Sequence, residues 1–232
     1  KFSMAKFHFV EDYERHVDQL MRKYPLDEAM SLAVGGSYEQ FSVILAEVLI
    51  QNGLTNGMML VDLGCGSGRA ATGVAKRVQI DYLGTDVVEK LLRYARSVCP
   101  KHYKFKHHQQ LSIPIANGST DMVAAFSFFT HLLHEETYIY LLDAFRILKP
   151  GGKLVMSFLE FGEPSHWGIF TPTAEARRTN TRQPLNTFIE RSVIDVWCSH
   201  LGLERIAFVD GHEKCWNGSA LGQSIAVLRK PT

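Results

Sequence analysis

The sequence predicts an α/β fold, a mostly parallel sheet with helices packed on its faces, and three observations carry that prediction. A short apolar run, Met58 to Val61, leads through Asp62 into alternate glycines at 64, 66 and 68, after which a helical pattern starts. Strand-like and helix-like stretches then alternate, the arrangement that right-handed parallel crossovers produce. Finally, the last two strand-like runs are joined by DGHEKCWNGSALG, which has no helical periodicity. Without a crossover helix that pair has to be antiparallel.

In chain order, the part before about residue 55 reads as a helical cap. Tyr13, Val17, Leu20, Met21 and Tyr24 form one stripe that Pro25 ends, and Phe41, Ile44, Leu45, Val48 and Leu49 form a second. The glycine break AVGGSYEQF separates them. The core, 56–232, opens with the strand 58–61 and a helix over 68–78 with Ala71, Val74, Ala75 and Val78 inward. A second strand, 80–84, runs on to Asp86, and a helix follows with Val88, Leu91, Leu92, Ala95 and Val98 on its apolar face. Strands are expected at 103–107, 121–126 and 153–159, and between the last two a helix carries Tyr138, Leu141, Leu142, Phe145 and Leu148 and stops at LKPGG. From 160 to 186 the pattern dissolves into a long connection, of the length that is usually functional or mobile. A helix through Ile189, Val193, Val196, Trp197 and Leu201 and strands at 204–209 and 223–228 complete a single domain.

Composition excludes several function classes. With 232 residues, 46% of them hydrophobic, the chain can bury one substantial core. A net charge of +1 gives none of the cationic excess that duplex-binding domains use on phosphates, so a nucleic-acid partner is disfavoured. The four cysteines have no CxxC spacing, which argues against a zinc site and a disulfide framework and fits a reducing cytoplasm. The opening KFSMAKFHFVEDYERH lacks the apolar core of a signal peptide, and no stretch is long enough to span a membrane, so no membrane partner is expected. Monomer and homodimer are both compatible with this composition.

The glycine turn admits positive φ and close backbone approach to a ligand, and the helix after it offers unpaired N–H groups. A nicotinamide-binding loop has G-x-G-x-x-G and an acid about 20 residues on. Here the spacing is G-x-G-x-G, Asp62 precedes the loop, and the chain ends in a hairpin. Asp86 is shared by both readings.

The combination of VDLGCGSGR, GTD ending in Asp86, DMVAAFSFFTHL and LKPGGKLVMSF resembles the class I S-adenosylmethionine-dependent methyltransferases over most of Met58 to Lys230. The resemblance implies a Rossmann-like three-layer sandwich with a seven-stranded sheet ordered 3-2-1-4-5-7-6, strand seven antiparallel. It implies S-adenosylmethionine as cofactor, with S-adenosylhomocysteine as product. Gly64, Cys65, Gly66 and Gly68 would line its methionine and ribose part, Asp62 would organise the loop, and Arg69 would approach the carboxylate. Asp86, with Val87 beside it, would accept both ribose hydroxyls, though Asp is also a good helix cap. Where the family often has an acid near the adenine amine, this chain has His108, Gln109, Gln110 and Leu111, so that Gln110 or Gln109 and Leu111 are the expected contacts. Phe126 and Ser127 would reach the methionine amine.

Methyl transfer is an in-line displacement, and a hydroxyl acceptor gains from a base. His131, after the fourth strand, is the first candidate for that base, and His166 in the long connection a second; His134, Glu160 and His212 rank lower. Trp167 and Phe170 could form an apolar lid. The exit AFSFFTHL lacks the Asn/Asp-Pro-Pro-aromatic motif of amide or base-amine methylation, and there is no acidic cluster of the magnesium-dependent catechol type and no Pro-Cys nucleophile. A small-molecule acceptor, at oxygen more than nitrogen, is the expectation, and FSFFTHL resembles enzymes of glycan and secondary-metabolite pathways. The alternatives are a nicotinamide oxidoreductase and a cofactor-binding scaffold without turnover.

Overall fold

Residues 10–181 and 184–232 are described by the computed structural model. The predicted cap before Val10 and residues 182–183 of the long connection lie outside the described residues. Seven strands, β1 (Met59–Leu63), β2 (Asp81–Asp86), β3 (Lys104–His107), β4 (Thr120–Ala125), β5 (Leu148–Phe158), β6 (Glu204–Val209) and β7 (Ser224–Arg229), make one sheet. Their order is β3-β2-β1-β4-β5-β7-β6, with β7 antiparallel to both β5 and β6 and every other pair parallel. The chain reverses its winding beside β1, between β1 and β4, which opens a crevice at the carboxyl ends of these strands.

Period-two alternation splits the core into two layers. Val61, Leu63, Val123, Ala125, Met156 and Leu228 face α6 (His134–Ile147) and α8 (Arg191–Leu201). Leu60, Met122, Ala124, Val155 and Val227 face α3 (Tyr38–Gln51), α4 (Arg69–Ala75) and α5 (Glu89–Val98). The parallel strands are therefore apolar on both faces, as their short unbroken runs require. A third cluster joins Val17 of α1 (Val10–Lys23) and Ala29 and Met30 of α2 (Leu26–Ala33) to Val88 and Leu91, which seats the cap over the ends of the strands.

Several sequence expectations need correction. Among the described residues the cap has three helices rather than two, because the eight-residue α2 between Pro25 and Gly35 is too short to show a periodic stripe. LKPGG does end α6, but β5 begins at Leu148 at once: Leu148 pairs with Thr120 and Lys153 with Met122, so the intervening residues bulge out of register. The connection 160–186 is largely helical, with a 3-10 turn at Pro164–His166 and α7 (Trp167–Arg178). Gly168 and Pro172 mask this helix in the sequence. Only Ala176 of α7 is buried, so the backbone group that Pro172 leaves unbonded can be met by water. The helix predicted through Ile189 starts only at Arg191, and Phe188 bridges to Leu159 instead. Met21, Val98, Leu142 and Val196 stand at the margins of their stripes and are exposed.

The closest approach of two helices at a glycine is α3 on α4, where a Cβ built on Gly73 would lie 1.9 Å from the Ser42 carbonyl oxygen. Gly73→Ala has to push two helices apart and is expected to cost about 2 kcal/mol or more. For a domain of this size, that lowers the thermal midpoint by on the order of 4 to 8 °C. An unchanged midpoint in a melting experiment would contradict the packing described.

Candidate functional site

The site grows out of the turn between β1 and α4. Gly64 and Gly66 have φ of 66° and 54°, the left-handed region that favours glycine. Side chains there would also collide: a Cβ on Gly64 would lie 2.7 Å from Phe128 Cδ2, and one on Gly66 2.6 Å from Val34 Cγ1. The turn is tied to β2 by Cys65 N–H donating to the Thr85 carbonyl at 3.0 Å. Asp86 at the end of β2 fixes it further, accepting from Gly66 N at 2.9 Å on Oδ2 and from Val88 N at 2.8 Å on Oδ1. The cap is fastened to the same turn. Tyr38 donates to the Ser67 carbonyl, Ser67 to the Met30 carbonyl, and Arg69 to the Gly36 carbonyl.

Two carboxyl groups share this small volume. Asp62, 3% exposed, accepts from Tyr82 Oη at 2.7 Å. Burial pushes its pKa up to about 7, more than the Tyr82 bond lowers it, and the neighbouring Asp86 adds to the rise. Burial also raises Asp86, opposed by the amides of Val88, Gly66 and Val87. Burial lowers Arg69, whose guanidinium lies 5.0 Å over the Phe41 ring and whose buried Nε has no partner among the described residues.

A cavity of about 360 Å³ lies over these groups. Of the sequence-predicted residues, Asp62, Gly64, Cys65, Gly66, Arg69, Asp86, Val87, Phe126, Ser127 and His131 line it. Val10, Tyr13, His16 and Val17 of α1 and residues 33–35 also line it. His131 follows β4 in a short 3-10 turn, Phe129–His131. Its Nδ1 is 2.8 Å from the Leu185 carbonyl oxygen, an acceptor only, so Nδ1 carries the proton and Nε2 keeps its lone pair. Burial lowers its pKa by more than the Leu185 bond raises it, so the ring is neutral at pH 7. The Tyr13 ring meets it edge-on at 5.6 Å.

Four predicted residues do not line the cavity. Gly68 lets α4 approach α5, since a Cβ there would meet Ala95 Cβ and Cys99 Sγ at 3.0 Å. Gln110 is exposed and offers only its carbonyl, to Tyr140 Oη, while Leu111 packs on the core. The chain turns out of β3 so that His108 takes the place on the cavity wall. His166 is fully buried: its Nε2 donates to the Gly222 carbonyl and its Nδ1 accepts from Glu160 N, which uses both nitrogens to hold the β5 exit against the β6–β7 connection. Glu160 forms a two-pronged pair with Arg191 and accepts from Ser224. His212 pairs with Glu163: burial would raise that carboxyl, but bonds from His212 and Ser165 hold it at about 2. His134, exposed, sits edge-on to Trp197, and Trp167 is exposed among Phe161 and Phe170, so Ile169 is the α7 residue on the cavity wall. Sequence reasoning missed Gln223, Asn186 and Thr130. Gln223 could have been found from topology, because it precedes an antiparallel strand that must begin at the carboxyl edge of the sheet.

Because Asp62 titrates near 7 when folded but near 4 when unfolded, its charge costs nothing below pH about 4, and the cost grows until pH passes about 7. Asp62→Asn keeps an acceptor for Tyr82 and removes that cost. In the ligand-free protein the variant is expected to be more stable than wild type by roughly 2 to 4 kcal/mol at pH 8 and nearly equal to it at pH 4. Denaturant titrations at the two pH values check this; the same difference at both would contradict a buried ionising carboxyl.

Residues 61–156 match the family model of the methyltransferase domain. Among curated proteins, the chain is 26% identical over 150 residues to ribosomal protein L11 methyltransferase of Halalkalibacterium halodurans, covering 63% of this chain and 45% of that protein. It is 32% identical over 117 residues to demethylmenaquinone methyltransferase of Tropheryma whipplei, covering 48% and 45%. The chain thus spans about half the length of the curated relatives it matches. Its fold is similar to that of magnesium protoporphyrin IX methyltransferase from Synechocystis PCC 6803, solved with bound S-adenosylhomocysteine, with a TM-score of 0.66 at 14% identity over 95% of this chain and 96% of that one. The match identifies residues 61–156 as a methyltransferase domain, and the strand order with its antiparallel seventh strand is the fold of the S-adenosylmethionine-dependent methyltransferases, so that the glycine turn closed by Asp86 stands where such a domain meets S-adenosylmethionine.

Proposed function

We propose that the chain methylates a hydroxyl of a small molecule, with His131 as the base. The observation that carries this reading is the fixed tautomer of His131, a neutral imidazole that keeps Nε2 unprotonated and lines the same cavity as the glycine turn. The cavity's fit to the cofactor is supported by Gly64 and Gly66, where any side chain would occupy the turn, and by the two carboxyl groups. When bound, S-adenosylmethionine supplies a methyl group on a sulfonium sulfur.

In this reading, Asp86 takes the ribose hydroxyls on the carboxylate lone pairs that its amide partners leave open. Asp62 and Asp86 set negative charge against the cationic cofactor, and Gly64, Cys65 and Gly66 offer backbone groups. Arg69 Nε serves the carboxylate end and Phe126 and Ser127 the amine. His108 and Val87 replace Gln110 and Leu111 at the adenine end. His131 Nε2 accepts the proton of the acceptor hydroxyl as the new bond forms, and the Leu185 carbonyl stabilises the resulting imidazolium. α1 walls part of the cavity and limits the entry of water, and a partly covered cavity of this size favours a small acceptor over a chain-like one. No helix among the described residues is long and apolar enough to cross a membrane. All four cysteines are free thiols, which supports a cytoplasmic setting.

Calorimetric titration with S-adenosylmethionine, S-adenosylhomocysteine and NAD tests the cofactor assignment. Asp86→Ala is expected to weaken S-adenosylhomocysteine binding by about 1 to 3 kcal/mol, as for a lost charged hydrogen bond. Preferential binding of NAD would overturn the reading. For the base, His131→Ala should lower kcat by roughly 100-fold or more. Because burial lowers the His131 pKa, wild-type kcat should stay level as pH falls through about 6.5 and decline only below it. A kcat profile unaltered by the substitution would remove His131 from the chemistry.

A further inference from the structure

Gln223 precedes β7 and lines the cavity at the end away from Asp86. The two stand on strands four places apart, which at about 4.8 Å per strand is on the order of 19 Å. His131, after β4, lies between them. The ribose site proposed at Asp86 therefore leaves the β5 and β7 end of the cavity to the acceptor, where Leu159 and Ile169 are apolar walls.

The orientation of the Gln223 amide follows from its partners. Ser127 N–H donates to Ser157 Oγ at 2.7 Å, and Ser157 Oγ lies 2.6 Å from Gln223 Oε1. Ser157 is 1% exposed and its hydroxyl has one proton. With Oε1 toward it, that proton is donated and the chain from Ser127 to Ser157 to Gln223 is satisfied. With the amide reversed, the buried hydroxyl would face only donors. Ser127 Oγ, 3.3 Å from the same Oε1, adds a second donor. Ser127 itself is held at a φ of 52°, outside the usual range for a residue with a side chain. The network thus spends the carbonyl of Gln223 and leaves Nε2, with two N–H donors, without a partner among the described residues. The other amide on this wall, Asn186, already donates through Nδ2 to Thr173 Oγ1.

We propose that Gln223 positions the methyl acceptor, its Nε2 donating to a carbonyl oxygen that the acceptor carries in addition to the hydroxyl presented to His131. With the apolar walls around it, this specifies a hydroxyaryl carbonyl compound. The inference rests on the methyltransferase reading above. The three isomeric hydroxyacetophenones, each paired with the ethylphenol of the same substitution, are the probes, and their binding to the protein saturated with S-adenosylhomocysteine is measured. At least one ketone should bind wild type about tenfold or more tightly than its ethylphenol. Gln223→Glu keeps the acceptor for Ser157 and Ser127 but has no N–H, and Gln223→Leu removes both; each should reduce that ratio to near one, and Gln223→Glu, which leaves Ser127 its partner, should change S-adenosylhomocysteine affinity less than twofold. A wild type without carbonyl preference, or a preference that survives in both variants, overturns the proposal. So does a tenfold loss of S-adenosylhomocysteine affinity in both, which would assign Gln223 to the cofactor. Failure of wild type to bind S-adenosylhomocysteine at all would instead sink the methyltransferase reading together with this one.

Discussion

The Asp86 carboxylate holds one oxygen on the Gly66 amide and the other on the Val88 amide, and the geometry of the site depends on that pair of bonds. Through them the end of β2 fixes the turn after β1, and the turn in turn anchors the cap by way of Ser67 and Arg69. The arrangement is costly, since it keeps two carboxyl groups, Asp62 and Asp86, in low-dielectric surroundings where burial raises both pKa values. Backbone amides and Tyr82 offset only part of that cost. Local instability of this kind is common where a protein is prepared to meet a charged ligand. A cationic cofactor would supply the missing compensation.

The cavity runs along the carboxyl edge of the sheet. Its β2 side is built of glycine turn, amides and carboxyl groups. The β5 and β7 side is assembled from residues far apart in the chain: His131 is held by Leu185, Gln223 by Ser157 and Ser127, and Leu159 is bridged to Phe188. The two ends therefore have different physical origins. One follows from a single strand-turn-helix crossing, and the other from tertiary contacts that only the complete sheet brings together.

That difference decides how much of the molecule could be read from the sequence. The glycine turn, the acid at 86, the sheet order and the antiparallel last strand follow from local spacing and from the resemblance those spacings support. His131 and His166 are both candidate bases in the sequence, and their surroundings separate them: one lines the cavity and keeps a lone pair, while the other spends both nitrogens on backbone groups. α7 was hidden by Pro172, whose penalty is small on an exposed helix. Gln110 and His108 differ by two positions, and the turn out of β3 decides which faces inward. Gln223 left no local mark, because its meaning depends on a serine 66 residues away.

In the proposed function, the Asp86 tie is the ribose end of a cofactor site whose far end faces His131. A crystal structure with S-adenosylhomocysteine measures this directly. Both ribose hydroxyls should lie within hydrogen-bond distance of the Asp86 carboxylate, with the sulfur turned toward the side of the cavity that His131 and Gln223 share. A ribose held elsewhere, or a sulfur facing the glycine turn with His131 shut off from it, would contradict it.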